Sequence, residues 1–166
     1  MRLFIAVNFS DQIRAALLDT IQQLCDQGAT GNFTRQENLH LTLAFIGESS
    51  RLATLQQILD RVPVAPFSLH LGKAGQFGDL YWVGIQKCPP LSRLAESLRQ
   101  DLQKHDFSID RKPFRPHITI ARQVQIATQP HLTVAPATML VENVSLLCSE
   151  RINGRLTYTE LYTKTL

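Results

Sequence analysis

A chain of 166 residues is near the usual size of one domain and can bury a core without disulfides or metal ions. Its hydrophobic content of 44% is ordinary for a soluble globular protein, and a formal net charge of +3 is too small to indicate a general nucleic-acid-binding protein. The three cysteines lie far apart without a CxxC pair, which argues against a disulfide framework or a zinc ribbon and favours a reducing cytoplasm. We expect neither a signal peptide nor a membrane span, because no apolar run approaches roughly 20 residues.

The first part of the chain predicts a strand, a helix, a second strand and a second helix. Residues 2–7 form a short apolar run typical of a strand buried on both faces. Ser10 is placed to cap a helix whose apolar residues recur every three or four positions as far as Leu24. After the apolar run HLTLAF at 40–45, a second amphipathic helix begins near Leu52 and ends before Pro63.

The second part repeats this order. Residues 72–79, GKAGQFGD, are predicted to be a turn-rich connection, and Pro89 opens a third helix. Asn153-Gly154 predicts the turn of a final hairpin. The remaining predicted strands are 67–71, 80–85, 117–122, 144–149 and 157–164. We therefore expect one α+β domain over residues 1–166, formed by internal duplication, with two lobes of antiparallel sheet backed by helices around a central groove.

A His-x-Thr triplet occurs in two of the predicted strands. Residues i and i+2 of a strand project from the same face, so His40 and Thr42 share a polar face in HLTLAF. The alternation also predicts that Phe45 points to the opposite, apolar face. HITIAR repeats the pattern with His117 and Thr119. Each segment thus predicts a strand with one apolar face in the core and a narrow polar face of His and Thr.

A third triplet, in PHLTVAP, contains His131 and Thr133. Pro130 and Pro136 bracket it, and a proline-bounded run of this length suits a loop or an edge strand. We expect His131 to lie outside the functional site.

Two histidines with neighbouring threonines suit acid–base chemistry on a phosphate. Imidazole has an ordinary pKa near 6.5, so one ring can be neutral while another is protonated. That pair can act as general base and general acid. Two threonine hydroxyls on opposite sides can donate to the nonbridging oxygens of a phosphodiester.

Basic residues surround the second triplet. The segment DRKPFRPHITIAR contains four of them, Arg111, Lys112, Arg115 and Arg122, and no acidic residue after Asp110. They indicate an anionic ligand, although a solvated basic loop is the alternative interpretation. Strict alternation places Arg122 on the apolar face, so it reaches a phosphate only if the strand ends or twists there.

Other chemistries fit less well. Catalytic zinc usually takes three protein ligands, and two histidines without an adjacent Asp, Glu or Cys make a poor metal site. No GxSxG or Walker motif is present. A strained 2′,3′-cyclic phosphate needs no protein nucleophile, because one activated water can open it. We expect neither a metal nor a cofactor.

At these residues the sequence resembles the 2H phosphoesterase superfamily, which is named for two HxTx motifs. More narrowly, it resembles the RNA 2′,3′-cyclic phosphodiesterases, also called 2′-5′ RNA ligases, of the LigT or ThpR type. The segments that carry the resemblance are RLFIAV, ENLHLTLAFIG, GQFGDLYWVG, RKPFRPHITIAR and SERINGRLTYTELYT. It implies metal-independent hydrolysis of RNA 2′,3′-cyclic phosphates to 2′-phosphomonoesters, and 2′-5′ ligation as the chemical reverse of cleavage.

Carried over by position, the resemblance assigns five residues. His40 is the proton donor to the leaving oxygen, and His117 is the acceptor that activates water. Thr42 and Thr119 bind the phosphate, and Arg122 matches a basic residue that often ends the second motif. The expected partners are RNA or tRNA-fragment ends with a 2′,3′-cyclic phosphate. We expect a monomer that does not bind membranes.

Two alternatives stay open. The first is an enzyme whose substrate is a small cyclic nucleotide or ADP-ribose cyclic phosphate. The second is a nucleotide-binding module without turnover. The presence of both histidines and both threonines argues against the second. The aromatic residues Phe9, Phe33, Tyr81 and Trp82 suit contact with a base and a place in the core equally well.

Overall fold

The computed structural model describes the whole chain, Met1–Leu166, as nine strands and three helices. The helices are α1 (Asp11–Asp26), α2 (Leu52–Asp60) and α3 (Pro89–Lys104). The first sheet contains, in spatial order, β3 (His40–Glu48), β1 (Arg2–Asn8), β8 (Asn143–Ile152) and β9 (Arg155–Thr165). The second sheet contains β2 (Thr30–Phe33), β6 (His117–Gln125), β5 (Leu80–Ile85), β4 (Phe67–Phe77) and β7 (Thr138–Val141).

The predicted α+β class is confirmed. Every strand pair in both sheets is antiparallel. Helices α2 and α3 pack against the first sheet, whereas α1 packs against β6 and β7 of the second. Strands β3 and β6, which carry the two His-x-Thr triplets, contact each other where the sheets meet.

One hydrophobic core of 37 buried residues runs through both sheets and all three helices. Residues 3–7 of β1 are all buried, as predicted for a strand covered on both faces. Leu3, Ile5 and Val7 face this core, while Phe4 and Ala6 pack on the other side of the first sheet. The histidine of β3 lies on that other side, with its ring next to Phe4.

The predicted cap of the first helix is confirmed. The Oγ of Ser10 accepts a hydrogen bond from the backbone N–H of Ile13 at 3.4 Å. This bond satisfies one of the donors that a helix leaves free at its N-terminus.

The prediction of a turn-rich connection at residues 72–79 is wrong. Strand β4 continues to Phe77, and only Gly78 and Asp79 form the turn to β5. Gly72 and Gly75 lie within this strand, and at Gly75 a side chain would overlap the indole of Trp82. The strands β2 and β7 were not predicted either, because each is only four residues long.

The PHLTVAP segment has no regular secondary structure, as expected for a proline-bounded loop. Side chains of α1 and of the residue that follows it hold the backbone of this segment. Gln27 accepts from the N–H of His131 at 2.9 Å, and Gln23 accepts from the N–H of Thr133 at 2.8 Å. Since α1 packs on the core face of the second sheet, His131 does not join the histidine of β6 on the opposite face.

Candidate active site

Both His-x-Thr strands contain a β-bulge directly after the threonine. In β3, Leu43 has no partner on β1, and in β6, Ile120 has no partner on β5. A bulge inserts one residue into a strand and so reverses the inside–outside alternation that follows it. The predictions that Phe45 and Arg122 face the core are therefore wrong. Phe45 is 67% exposed and packs on Phe4, and Arg122 is exposed on the polar face of β6.

His40 is fixed by two hydrogen bonds. Its Nδ1 donates to the carbonyl oxygen of Asn38 at 2.7 Å, and its Nε2 lies 2.9 Å from the Oγ1 of Thr42. Asn38 is itself 8% exposed and donates to the carbonyl of Leu156 at 3.0 Å. Because a carbonyl only accepts, Nδ1 carries the proton of the neutral ring, and Nε2 is the nitrogen left for proton transfer.

His117 repeats the first of these bonds. Its Nδ1 donates to the carbonyl of Arg115, two residues earlier, at 2.7 Å. Thr119 pairs with Trp82 in the ladder between β5 and β6, and its carbonyl accepts from the hydroxyl of Thr34 at 3.1 Å. A backbone carbonyl thus orients both rings through Nδ1, and neither Nε2 is hydrogen-bonded to the backbone.

Aromatic rings flank each histidine. The ring centroids of Phe4 and Tyr158 each lie 5.0 Å from that of His40. The ring of Phe77 lies 5.8 Å from that of His117, with its plane at 77° to the imidazole. None of the three was identified from the sequence, since isolated aromatics in strands usually belong to a core. Of the four aromatics considered there, Phe9 and Tyr81 are buried, while Phe33 and Trp82 are partly exposed.

Burial and the positive charge of Arg122, on the other sheet, shift the pKa values of two residues beside each other in the site. Burial lowers the pKa of His40 below its ordinary value of 6.5, and the positive charge of Arg122 lowers it further, against the hydrogen bond to Asn38, which raises it. Burial also raises the pKa of Tyr158, where Arg122 acts in the opposite direction. Arg122, on β6 of the second sheet, therefore acts electrostatically on two residues of the first sheet.

The other predicted basic residues lie in the loop before β6. Arg111, Lys112 and Arg115 are exposed there. The guanidinium of Arg99, on α3, donates to the carbonyls of Asp110 and Lys112 and ties this loop to the helix. The loop that leads into His117 thus carries three exposed, positively charged side chains.

No group of three or more His, Cys, Asp or Glu side chains is arranged to share a metal ion. None of the three helices has both the length and the apolar character needed to cross a membrane.

Comparison with known proteins identifies the family. Residues 9–153 match the family model described as the 2′-5′ RNA ligase superfamily. The chain belongs to this superfamily. It is 35% identical over 130 residues to an RNA 2′,3′-cyclic phosphodiesterase of Archaeoglobus fulgidus, covering 74% of this chain and 72% of that protein. It is 31% identical over 169 residues to an RNA 2′,3′-cyclic phosphodiesterase of Escherichia coli K12, covering 96% and 93%.

Solved structures of the superfamily share the fold. A crystal structure of a Thermus thermophilus protein superposes with a TM-score of 0.88 at 28% identity, covering 100% of this chain and 98% of that one. The apo form of E. coli LigT superposes with a TM-score of 0.83 at 30% identity, covering 99% and 96%. LigT has also been crystallised with 3′-AMP. The resemblance to 2H phosphoesterases inferred from the two HxTx motifs is confirmed.

Proposed function

We propose that this protein hydrolyses 2′,3′-cyclic phosphate ends of RNA to 2′-phosphomonoesters without a metal ion. One observation carries the proposal. His40 and His117 lie on contacting strands of two sheets, and the Nδ1–H of each donates a hydrogen bond to a backbone carbonyl, so that Nε2, which in His40 contacts the hydroxyl of Thr42, is the nitrogen available for proton transfer. The names of the relatives, RNA 2′,3′-cyclic phosphodiesterases, support the same reaction.

In this mechanism His117 is the base and His40 is the acid. The Nε2 of His117 removes a proton from water as the water oxygen attacks phosphorus. The bond from phosphorus to the 3′-oxygen breaks, and His40 gives its Nε2 proton to that oxygen. The product is a 2′-phosphomonoester with a free 3′-hydroxyl. His117 then holds the extra proton, which returns to His40 through solvent.

The phosphate is held by hydroxyls and one positive charge. Thr42 and Thr119 follow the two histidines on the same strand faces and donate to the nonbridging oxygens. Arg122 stabilises the charge that grows on these oxygens in the transition state. The bulge at Ile120 is what brings its side chain to the histidine face.

The substrate also prepares His40 for its role. Burial and Arg122 favour the neutral ring, as the lowered pKa of His40 records, whereas an acid must carry a proton. An anionic phosphodiester beside Arg122 offsets that positive charge. Its arrival therefore raises the pKa of His40 and favours the protonated ring that the leaving oxygen needs.

The same geometry supports 2′-5′ joining. A 5′-hydroxyl of a second RNA fragment takes the place of water, loses its proton to His117 and attacks the cyclic phosphate, which yields a 2′-5′ phosphodiester. This is the reverse of cleavage of that linkage, and water competes with it. We propose that the partners are RNA or tRNA fragments with cyclic phosphate ends. We also propose that the protein acts as a monomer in the cytoplasm, where its free cysteines stay reduced.

An oligoribonucleotide that ends in a 2′,3′-cyclic phosphate tests the proposal directly. Incubated with the protein and EDTA, it is expected to gain the mass of one water and to become sensitive to phosphatase. Loss of turnover in EDTA, restored by zinc or manganese, would make the histidines metal ligands and contradict the mechanism. Turnover of small cyclic nucleotides or ADP-ribose cyclic phosphate alone would contradict RNA as the substrate. Binding without turnover would leave only a nucleotide-binding module.

A further inference from the structure

The rings of Trp82, Phe77 and His117 form a continuous aromatic surface. Gly75 and Trp82 are ladder partners in β4 and β5, and a Cβ at Gly75 would lie 2.3 Å from Cζ2 and 2.4 Å from Cη2 of the indole. The indole therefore covers the backbone of Gly75. The ring of Phe77 lies 5.1 Å from that of Trp82 and 5.8 Å from that of His117. We refer to Phe77 and Trp82 as the aromatic platform.

The platform is held by neighbouring side chains and is partly exposed to solvent. Phe77 is 51% exposed although it packs on two neighbouring rings. It lies at the end of β4, next to a turn in which Gly78 has a φ of 59°, a conformation that glycine adopts without strain. Its ring is thus held in place by contacts and a short turn, while the exposed half of the residue is available to a flat ligand.

The chemistry decides which nucleotide reaches this surface, and this step rests on the proposed function. His117 takes the proton of the attacking oxygen, so whatever is attached to that oxygen lies on the side of His117. Water carries nothing, whereas a 5′-hydroxyl carries a nucleoside. The nucleotide with the cyclic phosphate remains attached to the leaving oxygen, on the side of His40.

We propose that the aromatic platform binds, by stacking, the terminal nucleobase of the RNA strand that supplies the 5′-hydroxyl in 2′-5′ joining. The same base occupies it when a 2′-5′ linkage is cleaved. Stacking on an aromatic ring tolerates every base, so the platform selects a nucleic acid end and not a sequence.

The positive charges of the loop before β6 fit this occupant. Arg111, Lys112 and Arg115 are exposed in the loop that leads directly into His117. Phosphates further along the incoming strand can pair with them, which adds affinity that depends on salt. The first sheet offers a different surface at His40, where the exposed Phe45 packs on Phe4.

Trp82 supplies a probe, because it is the only tryptophan of the chain. The His40→Ala protein, in which cleavage is suppressed, is titrated with 2′-5′-linked ApA and with 2′-AMP, which lacks the second nucleoside. The dinucleotide is expected to quench the emission of Trp82 and to bind about fivefold to a hundredfold more tightly, the range that one stacked base gives. Phe77→Ala should remove this advantage, and Phe77→Tyr should keep it.

Leu140→Ala is the matched control, since Leu140 is also 51% exposed but lies on β7 at the edge of the second sheet. It should leave both affinities unchanged. Equal affinities of the two ligands for the starting protein would overturn the proposal. So would an equal loss of both in Phe77→Ala, because Phe77 would then act only by supporting His117. Hydrolysis of a cyclic phosphate end by the wild-type protein, measured separately, tests the proposed function independently.

Discussion

Arg122 of β6 lies close enough to His40 of β3 for its positive charge to lower the pKa of that imidazole. The two residues belong to different sheets, so a charge on one sheet changes the pKa of a histidine on the other. It depends on the bulge at Ile120, without which alternation would turn Arg122 toward the core. A basic residue of the second His-x-Thr strand therefore acts on the histidine of the first.

Replacing Arg122 is expected to raise the pKa of His40. Arg122→Gln removes one of the two causes that lower it, so the value should move up toward 6.5 while burial still holds it below. NMR titration of the imidazole C–H signals measures this directly. Arg111→Gln, which removes a charge from the exposed loop, is the control. An unchanged His40 titration in Arg122→Gln would contradict the placement of the guanidinium.

The lowered pKa of His40 also predicts how stability changes with pH. Between the folded pKa and the unfolded value of 6.5, the unfolded chain binds more protons at this residue than the folded chain does. The contribution of His40 to stability is thus complete above pH 6.5 and falls as the pH drops through the folded pKa.

Urea unfolding measures this effect. Acidification from about pH 7.5 to about pH 5 should lower the free energy of unfolding more for the wild type than for His40→Gln. The variant has no titrating group at this position, whereas the other ionisable residues are the same in both proteins. An equal loss in the two proteins would contradict the shift.

The sequence predicted the histidines and threonines but not the faces of all their neighbours. Alternation holds as far as Thr42 and Thr119 because the ladders are regular up to those residues. It fails at Phe45 and Arg122 because one extra residue enters each strand. Nothing in the alternating pattern marks a bulge, since the bulged residue Leu43 continues the apolar alternation that Leu41 begins.

The aromatic platform shows a second limit of local patterns. The glycines of GKAGQF suggested turns, whereas in the structure both lie inside a strand, where Gly75 makes room for the ring of Trp82 and Gly72 lies close to the backbone of Gly84. Pairing with β5 overrides the weak strand propensity of this segment, and that pairing is a tertiary contact. Phe77 could not be assigned to a functional surface before β4 was known to continue to it.

The close contact at Gly75 predicts a stability difference between two glycines. Gly75→Ala would place a methyl group 2.3 Å from the indole of Trp82, so it should lower the free energy of unfolding by about 1–3 kcal/mol and alter the emission of Trp82. Gly84→Ala is the control, because its Cβ would lie 3.4 Å from the same ring. Urea unfolding should rank Gly75→Ala clearly below Gly84→Ala. Equal stabilities would mean that the indole does not cover Gly75.

The two threonines are expected to act on phosphate in the same way. Thr42→Ala and Thr119→Ala each remove one hydroxyl donor to an anionic oxygen, so each should lower kcat/KM by about tenfold to a hundredfold. The loss should be similar for phosphodiesters with good and poor leaving groups, because both must be positioned. Thr133→Ala, in the loop held by α1, should show no loss. A loss confined to one class of leaving group would give that threonine a role in proton transfer.

The division of labour between the histidines is tested by the leaving group. General acid catalysis offsets charge on the departing oxygen, so its value falls as that oxygen becomes a better leaving group. If His40 is the acid, His40→Ala should lose about 10² to 10⁴-fold on a ribose leaving group and recover much of this on a p-nitrophenyl phosphodiester. His117→Ala should lose activity on both, because water still lacks its base. The opposite pattern would exchange the two roles, and equal losses for both variants on both substrates would contradict the assignment. The lowered pKa of His40 makes this comparison necessary, since a mostly neutral ring in the free protein would also suit a base.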